Sequence, residues 1–141
     1  MLFHQECLPA ICRNFIQVIE NNPYLKHRFE QVHEYGESLL ALNISMDTIK
    51  RKIKRLIDRI HDIIGFDLDR ELRQYCYQHK PYMPTVFKQM ACGFYVWTNI
   101  LVRLLVLSAM PKVFDIVRNH KETYYEITDG VSCYDIVLTV N

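Results

Sequence analysis

Glycine and proline are scarce in this chain, 4 and 5 residues among 141. Long structureless loops are therefore not expected, and the connections between elements should be short. No CxxC pair occurs among the 5 cysteines, Cys7, Cys12, Cys76, Cys92 and Cys133. Their odd number and irregular spacing fit neither a disulfide framework nor a four-ligand zinc site. The first residues, MLFHQECLPAICRNF, carry charge early and lack a clean apolar stretch, so no signal peptide is expected. An intracellular protein with reduced, mostly buried thiols is the expectation. Charge of one sign is also lacking: 17 basic against 16 acidic residues leave +1. That excludes a globally basic nucleic-acid coat and an acidic mimic. Catalytic signatures are missing as well, with no GxSxG, P-loop or HExxH. The expectation is a non-enzymatic protein without a cofactor.

What is present is helical periodicity. A chain of 141 residues can bury roughly two thirds of its unfolded surface, enough for one core. Residues 8–21 place Leu8, Ile11, Phe15, Val18 and Ile19 on one helix face. Asn22-Pro23 then reads as an N-cap followed by the first helical residue. The helix so started runs to about Leu42, stops at Asn43, and carries Leu25, Phe29, Val32, Gly36, Leu39 and Leu40 inward.

Ser45 or Asp47 caps the next helix, which Gly65 is expected to end. At about 100° per residue, Ile49, Ile53, Leu56, Ile57, Ile60, Ile63 and Ile64 fall within an arc of about 120°. Asp67 is expected to cap a separate shorter helix, ended by Pro81, with Leu72, Tyr75, Cys76 and His79 inward. Pro84 opens the longest apolar segment, 84–110, and Pro111 breaks it. The twenty residues from Ala91 to Met110 match a bilayer in length. Arg103 near their middle and Asn99 one turn earlier argue for a buried central helix instead of a membrane span. A mostly buried arginine needs a carboxylate or several carbonyls, and nothing in the sequence names its partner.

The period changes after a short helix over 111–120. ETYYEITDGVSCYDIVLTVN is rich in Tyr, Val, Ile and Thr, with Asp129-Gly130 at its centre, a two-residue hairpin signal. The expected fold is mainly α: a compact bundle of five to six helices around the central apolar helix 84–110, with a C-terminal β-hairpin over about 122–140. Residues 1–141 form a single globular domain on this reading, bundle 1–120 and hairpin 121–141. A lone apolar ribbon is marginal in water. Its aromatic face (Tyr124, Tyr125, Ile127, Tyr134, Ile136) is thus a candidate interface for a protein partner or a second copy.

Charge is unevenly distributed along the chain. Three basic and six acidic residues give −3 over 1–48, nine and five give +4 over 49–80, and 81–141 balance. Six of ten residues in 50–59 are basic. Lys50, Arg51, Lys54, Arg55 and Arg59 are the candidate contacts to a polyanion or acidic partner. Against this stand Asp58, placed to pair with Lys54 or Arg55, and Asp47, placed to pair with Arg51. No aromatic lies between Thr48 and Ile64, so a solvated helix face is the plainer reading.

Two further patterns are weaker. Glu30-Gln-Val-His33 is an ExxH, but a di-iron bundle needs a second one and none exists. The order helix, short helix, hairpin is that of a winged helix-turn-helix, yet Glu122, Glu126, Asp129 and Asp135 would make an acidic wing. A small interaction or regulatory domain is therefore expected, with nucleic-acid binding through the 49–64 helix as the alternative.

Overall fold

The computed structural model describes residues 2–5, 8, 10–78 and 93–128. These form a helical bundle. Its elements are α1 (Ala10–Glu20), α2 (Pro23–Ala41), α3 (Met46–Gln78), α4 (Gly93–Ser108), α5 (Pro111–Val117) and α6 (Lys121–Ile127).

The start of α2 is where the sequence places it. Asn22 is extended and its side-chain oxygen accepts from the Tyr24 and Leu25 amides, which relieves two of the four free N–H groups. Leu25, Phe29, Val32, Gly36 and Leu39 are buried. The helix stops one residue earlier than expected, because Leu42 itself turns extended. Ser45 caps α3 through the Thr48 amide.

Gly65 does not end α3. The helix runs on for 33 residues, about 50 Å. Asp67 is not a cap either: its carboxylate takes Arg70 at 3.0 Å, one turn along the same helix. Burial explains the continuity. Ile60, Ile64, Leu68 and Leu72 are all buried and step by four residues across the glycine. Each contributes roughly 1.5–3 kcal/mol by leaving water, against about 1 kcal/mol for a mid-helix glycine. Four-residue steps advance by about 40° each, so the buried stripe winds around the helix. Ile63 is left on the outer edge, 38% exposed, contrary to its expected inward place. Leu72 and Tyr75 turn inward as expected, and Tyr75 meets Phe15 of α1 edge-on at 5.9 Å.

The described part of the apolar segment is α4, and it is the centre of the core. Leu101, Val102, Leu104, Leu105, Val106 and Leu107 are all buried, so the helix is enclosed on most sides, with Asn99 and Arg103 half-buried on the remaining one. Its most extensive partner is α3. Among the described residues no helix is long and apolar enough to cross a membrane. Pro111 starts α5, whose Val113, Phe114 and Val117 are buried. The N-terminal residues close the far end. The His4 amide donates to the Ser108 carbonyl (2.9 Å), Ser108 Oγ returns a bond to the His4 carbonyl, and Phe3 packs on Phe29. At the turn into α5, a Cβ on Gly36 would fall 2.5 Å from Met110 Cγ. Only glycine lets α2 approach that closely.

Residues 122–127, expected as the first strand of the hairpin, are helical. Strand propensity is weak where tertiary packing opposes it. Here Thr123 and Ile127, four apart, are both buried, and Tyr124 meets Phe114 edge-on at 6.1 Å. A helix buries these three together, whereas a strand would have turned Tyr124 away from Thr123 and Ile127. The Asp129-Gly130 turn and the second strand, with Tyr134 and Ile136, lie outside the described residues. Helix after helix over 111–127 also removes the winged helix-turn-helix order.

Candidate interaction face on the long helix

The basic run divides once it is folded. Lys50 is engaged: its Nζ lies 2.7 Å from the Glu126 carboxylate and 4.0 Å from that of Asp47. This bridge ties α3 to α6. The hydrogen bond with Lys50 holds the Glu126 carboxyl below its usual range and raises the Lys50 ammonium. Arg51 donates to Thr48 Oγ1 at 3.4 Å rather than to Asp47. Lys54 is exposed, and its field also lowers Glu126. Asp58, expected to neutralise Lys54 or Arg55, forms no ion pair among the described residues.

Lys52, Arg55 and Arg59 go elsewhere. With Tyr35 of α2 and Leu56 they line a cavity of about 200 Å³ between the two helices. No carboxylate is in that lining. Among the described residues none of the three cations has an ion-pair partner.

Continuity of α3 adds a second feature that a break at Gly65 would have hidden. Lys52, Arg59, Phe66 and Arg73 recur every seven residues, and so do Ile63, Arg70 and Tyr77. A seven-residue repeat drifts only about 20° on a helix, and the second series lies about 40° from the first, so together they form one stripe that leaves the α2 groove at Lys52 and Arg59 and reaches the exposed side at Phe66 and Tyr77. Phe66 is 91% exposed and Tyr77 59%. Beside Phe66 lies a cavity of about 370 Å³, lined by His61, Asp62, Gly65, Phe66, Asp69, Arg73 and Thr98. The bare Cα of Gly65 leaves the notch open. Its rim is fixed, because Asp69 accepts from Thr98 Oγ1 (3.1 Å) and from Arg73 Nε (2.9 Å).

The glycine is not there for geometry. The atoms nearest a Cβ on Gly65 would be those of the His61 ring at 3.6–3.7 Å, ordinary contact. The sequence signal that could have found this face was the seven-residue series itself, read through Gly65 instead of up to it.

The remaining sequence candidates have structural roles. Arg103 Nε donates to Asn99 Oδ1 at 2.8 Å, and its Nη1 to the Ile127 carbonyl at 3.1 Å. The half-buried guanidinium thus meets an amide and a carbonyl rather than a carboxylate. It places positive charge at the C-terminus of α6, where the helix dipole favours it. Ile127 is buried, Tyr124 half-buried, and Tyr125 65% exposed, so the expected aromatic face is split by the helix. His33 of the ExxH donates from Nδ1 to the Ala109 carbonyl at 3.1 Å, and its Nε2 lies 4.0 Å from Glu37. Cys12 is a free thiol in the core, pushed up to about 12 by burial. Comparison with known proteins finds no matching family, no matching curated protein and no matching solved structure.

Proposed function

We propose that this is a non-enzymatic, intracellular interaction domain, its cysteines reduced, which binds an amphipathic helix of a protein partner along the outer face of α3. The observation that carries this reading is Phe66, 91% exposed at the edge of the notch left by Gly65. Full exposure of a phenylalanine forgoes roughly 1.5–3 kcal/mol of burial. An exposed aromatic beside a preformed recess, with Ile63, Arg70, Arg73 and Tyr77 on the same stripe, has the composition of an interface hot spot. A partner helix supplies one apolar side chain to the notch and covers Phe66 with its i, i+3 and i+4 neighbours.

Two other occupants fit this half of the helix less well. Asp62 and Asp69 line the notch and repel a phosphodiester backbone. A second copy crossing antiparallel at Phe66 brings Arg59 of one copy against Arg73 of the other, a like-charge contact.

Selection of displayed random helical peptides on the native protein tests the proposal, with counter-selection on the Phe66→Ser/Tyr77→Ser variant. Both positions are exposed, so the variant keeps its fold. Enriched peptides are expected to share two or three apolar residues at i, i+3 and i+4 and to lose binding to the variant. Enrichment that is indifferent to Phe66 and Tyr77 would refute it.

A further inference from the structure

We infer that the groove between α2 and α3 is a binding site for a small molecule bearing clustered phosphate groups. The site is separate from the notch and needs neither Phe66 nor a protein partner. It rests on a convergence: Lys52, Arg55 and Arg59, spaced three and four residues apart on α3, meet Tyr35 of α2 around one cavity of about 200 Å³. Leu56, 8% exposed, contributes to the lining.

The chemistry is specific in three ways. The cations are unspent, since none has a carboxylate partner among the described residues, although Asp58 and Asp62 lie within one turn of Arg55 and Arg59. Like charges held together without a counter-ion repel one another, and an anion between them relieves that repulsion. Two guanidinium forks match phosphate oxygens bidentately, the lysine adds a point charge, and the phenol of Tyr35 adds an O–H donor. Three cations exceed the charge of one phosphate group (about −2 at neutral pH), so two or more groups are the better match. The cavity is smaller than the roughly 300–1,000 Å³ of drug-sized ligand sites, which suits a polyphosphate or a phosphorylated headgroup more than a bulky ligand.

Lys50 belongs to the same basic run but is spent on Glu126 at 2.7 Å. The fold therefore separates cations that the charge count alone treats as equal.

Calorimetric titration of the full chain with inorganic triphosphate at low and physiological salt tests it. Three variants are compared: Arg55→Ala/Arg59→Ala in the groove, Arg51→Ala/Lys54→Ala outside it, and Tyr35→Phe. The two doubles remove equal charge from exposed positions of one helix. Loss of a bidentate contact is worth about tenfold in affinity or more. The groove double is expected to lose at least that much, the outside double about twofold at most, and Tyr35→Phe an intermediate amount. Vesicles carrying phosphorylated inositol headgroups form a second arm. Binding there with the same groove dependence names a lipid headgroup as the source, and triphosphate binding alone names a soluble ligand. Equal losses from the two doubles would show a diffuse electrostatic field and overturn the site. So would binding to neither probe, or binding to a single-stranded oligonucleotide alone, which would favour nucleic acid.

Discussion

Lys50 and Glu126 stand 2.7 Å apart and join the start of the long helix to the last described one. The strongest run of cations in the sequence is thus partly a structural fastening. Lys50→Met or Glu126→Gln should loosen α6, seen as faster amide exchange over 121–127, and leave triphosphate binding unchanged. The pH dependence has a definite sign. The Glu126 carboxyl is held below its usual range by Lys50. Its contribution is therefore present above the ordinary carboxylate range and is lost as pH falls through its depressed value. Protection of 121–127 should fall with acid in the native chain and be flat in Glu126→Gln. Equal exchange in both chains at all pH values would contradict the bridge.

Arg103 holds the same C-terminal end of α6 from the side of α4. Its bond to the Ile127 carbonyl and its bond to Asn99 are both made by a half-buried guanidinium. Arg103→Met should cost about 1–3 kcal/mol in chemical denaturation, and Asn99→Ala less, because the Ile127 bond survives. A neutral result for Arg103→Met would remove the capping role.

The two helical glycines should respond oppositely to alanine. Gly36→Ala drives a Cβ to 2.5 Å from Met110 Cγ and should destabilise by roughly 1–3 kcal/mol through overpacking. Gly65→Ala meets only ordinary contact and should stabilise by up to about 1 kcal/mol through helix propensity. It should also weaken selected peptides by intruding on the notch. A destabilising Gly65→Ala would mean that the glycine is structurally required after all.

Cys12 gives a test of core burial. Its thiol is pushed from an ordinary value of 9.0 to about 12 by desolvation. Above the ordinary value the unfolded thiol loses its proton while the folded one keeps it. The group's stabilisation is whole below about pH 9 and declines by about 1.4 kcal/mol per pH unit until about pH 12. Urea midpoints of the native chain and Cys12→Ala should therefore converge between neutral pH and about pH 10.5. Parallel midpoints would place the thiol in contact with water.

Local signals carried much of this fold into the sequence. Asn22-Pro23, Ser45 and Pro111 start helices where they were expected, because caps and prolines act over a few residues. The burial of Leu8, Phe15 and Ile19 around α1, the core face of α2 and the burial of most of α4 follow from periodicity. The failures share one cause, local reading of a tertiary outcome. Gly65 and Asp67 look like a stop and a start, but burial of Ile64, Leu68 and Leu72 carries the helix through. The β-rich 122–127 looks like a strand, but packing of Thr123 and Ile127 makes it helical. The site suffered in step. A helix that ends at Gly65 leaves Phe66 on no face, and pairing of Asp58 with the basic run leaves no unpaired cations for a groove at Tyr35.

Continuity of α3 through Gly65 underlies the partner face, because it alone sets Arg59, Phe66 and Arg73 on one line. The most direct test is a distance between spin labels on non-canonical residues at Arg51 and Gln74, both exposed, which spares the cysteines. At 1.5 Å per residue the backbone separation is about 35 Å. One narrow distribution near that value is predicted. A shorter, broad or two-peaked distribution would show a break at the glycine, and would take Phe66 off the line of Arg59 and Arg73.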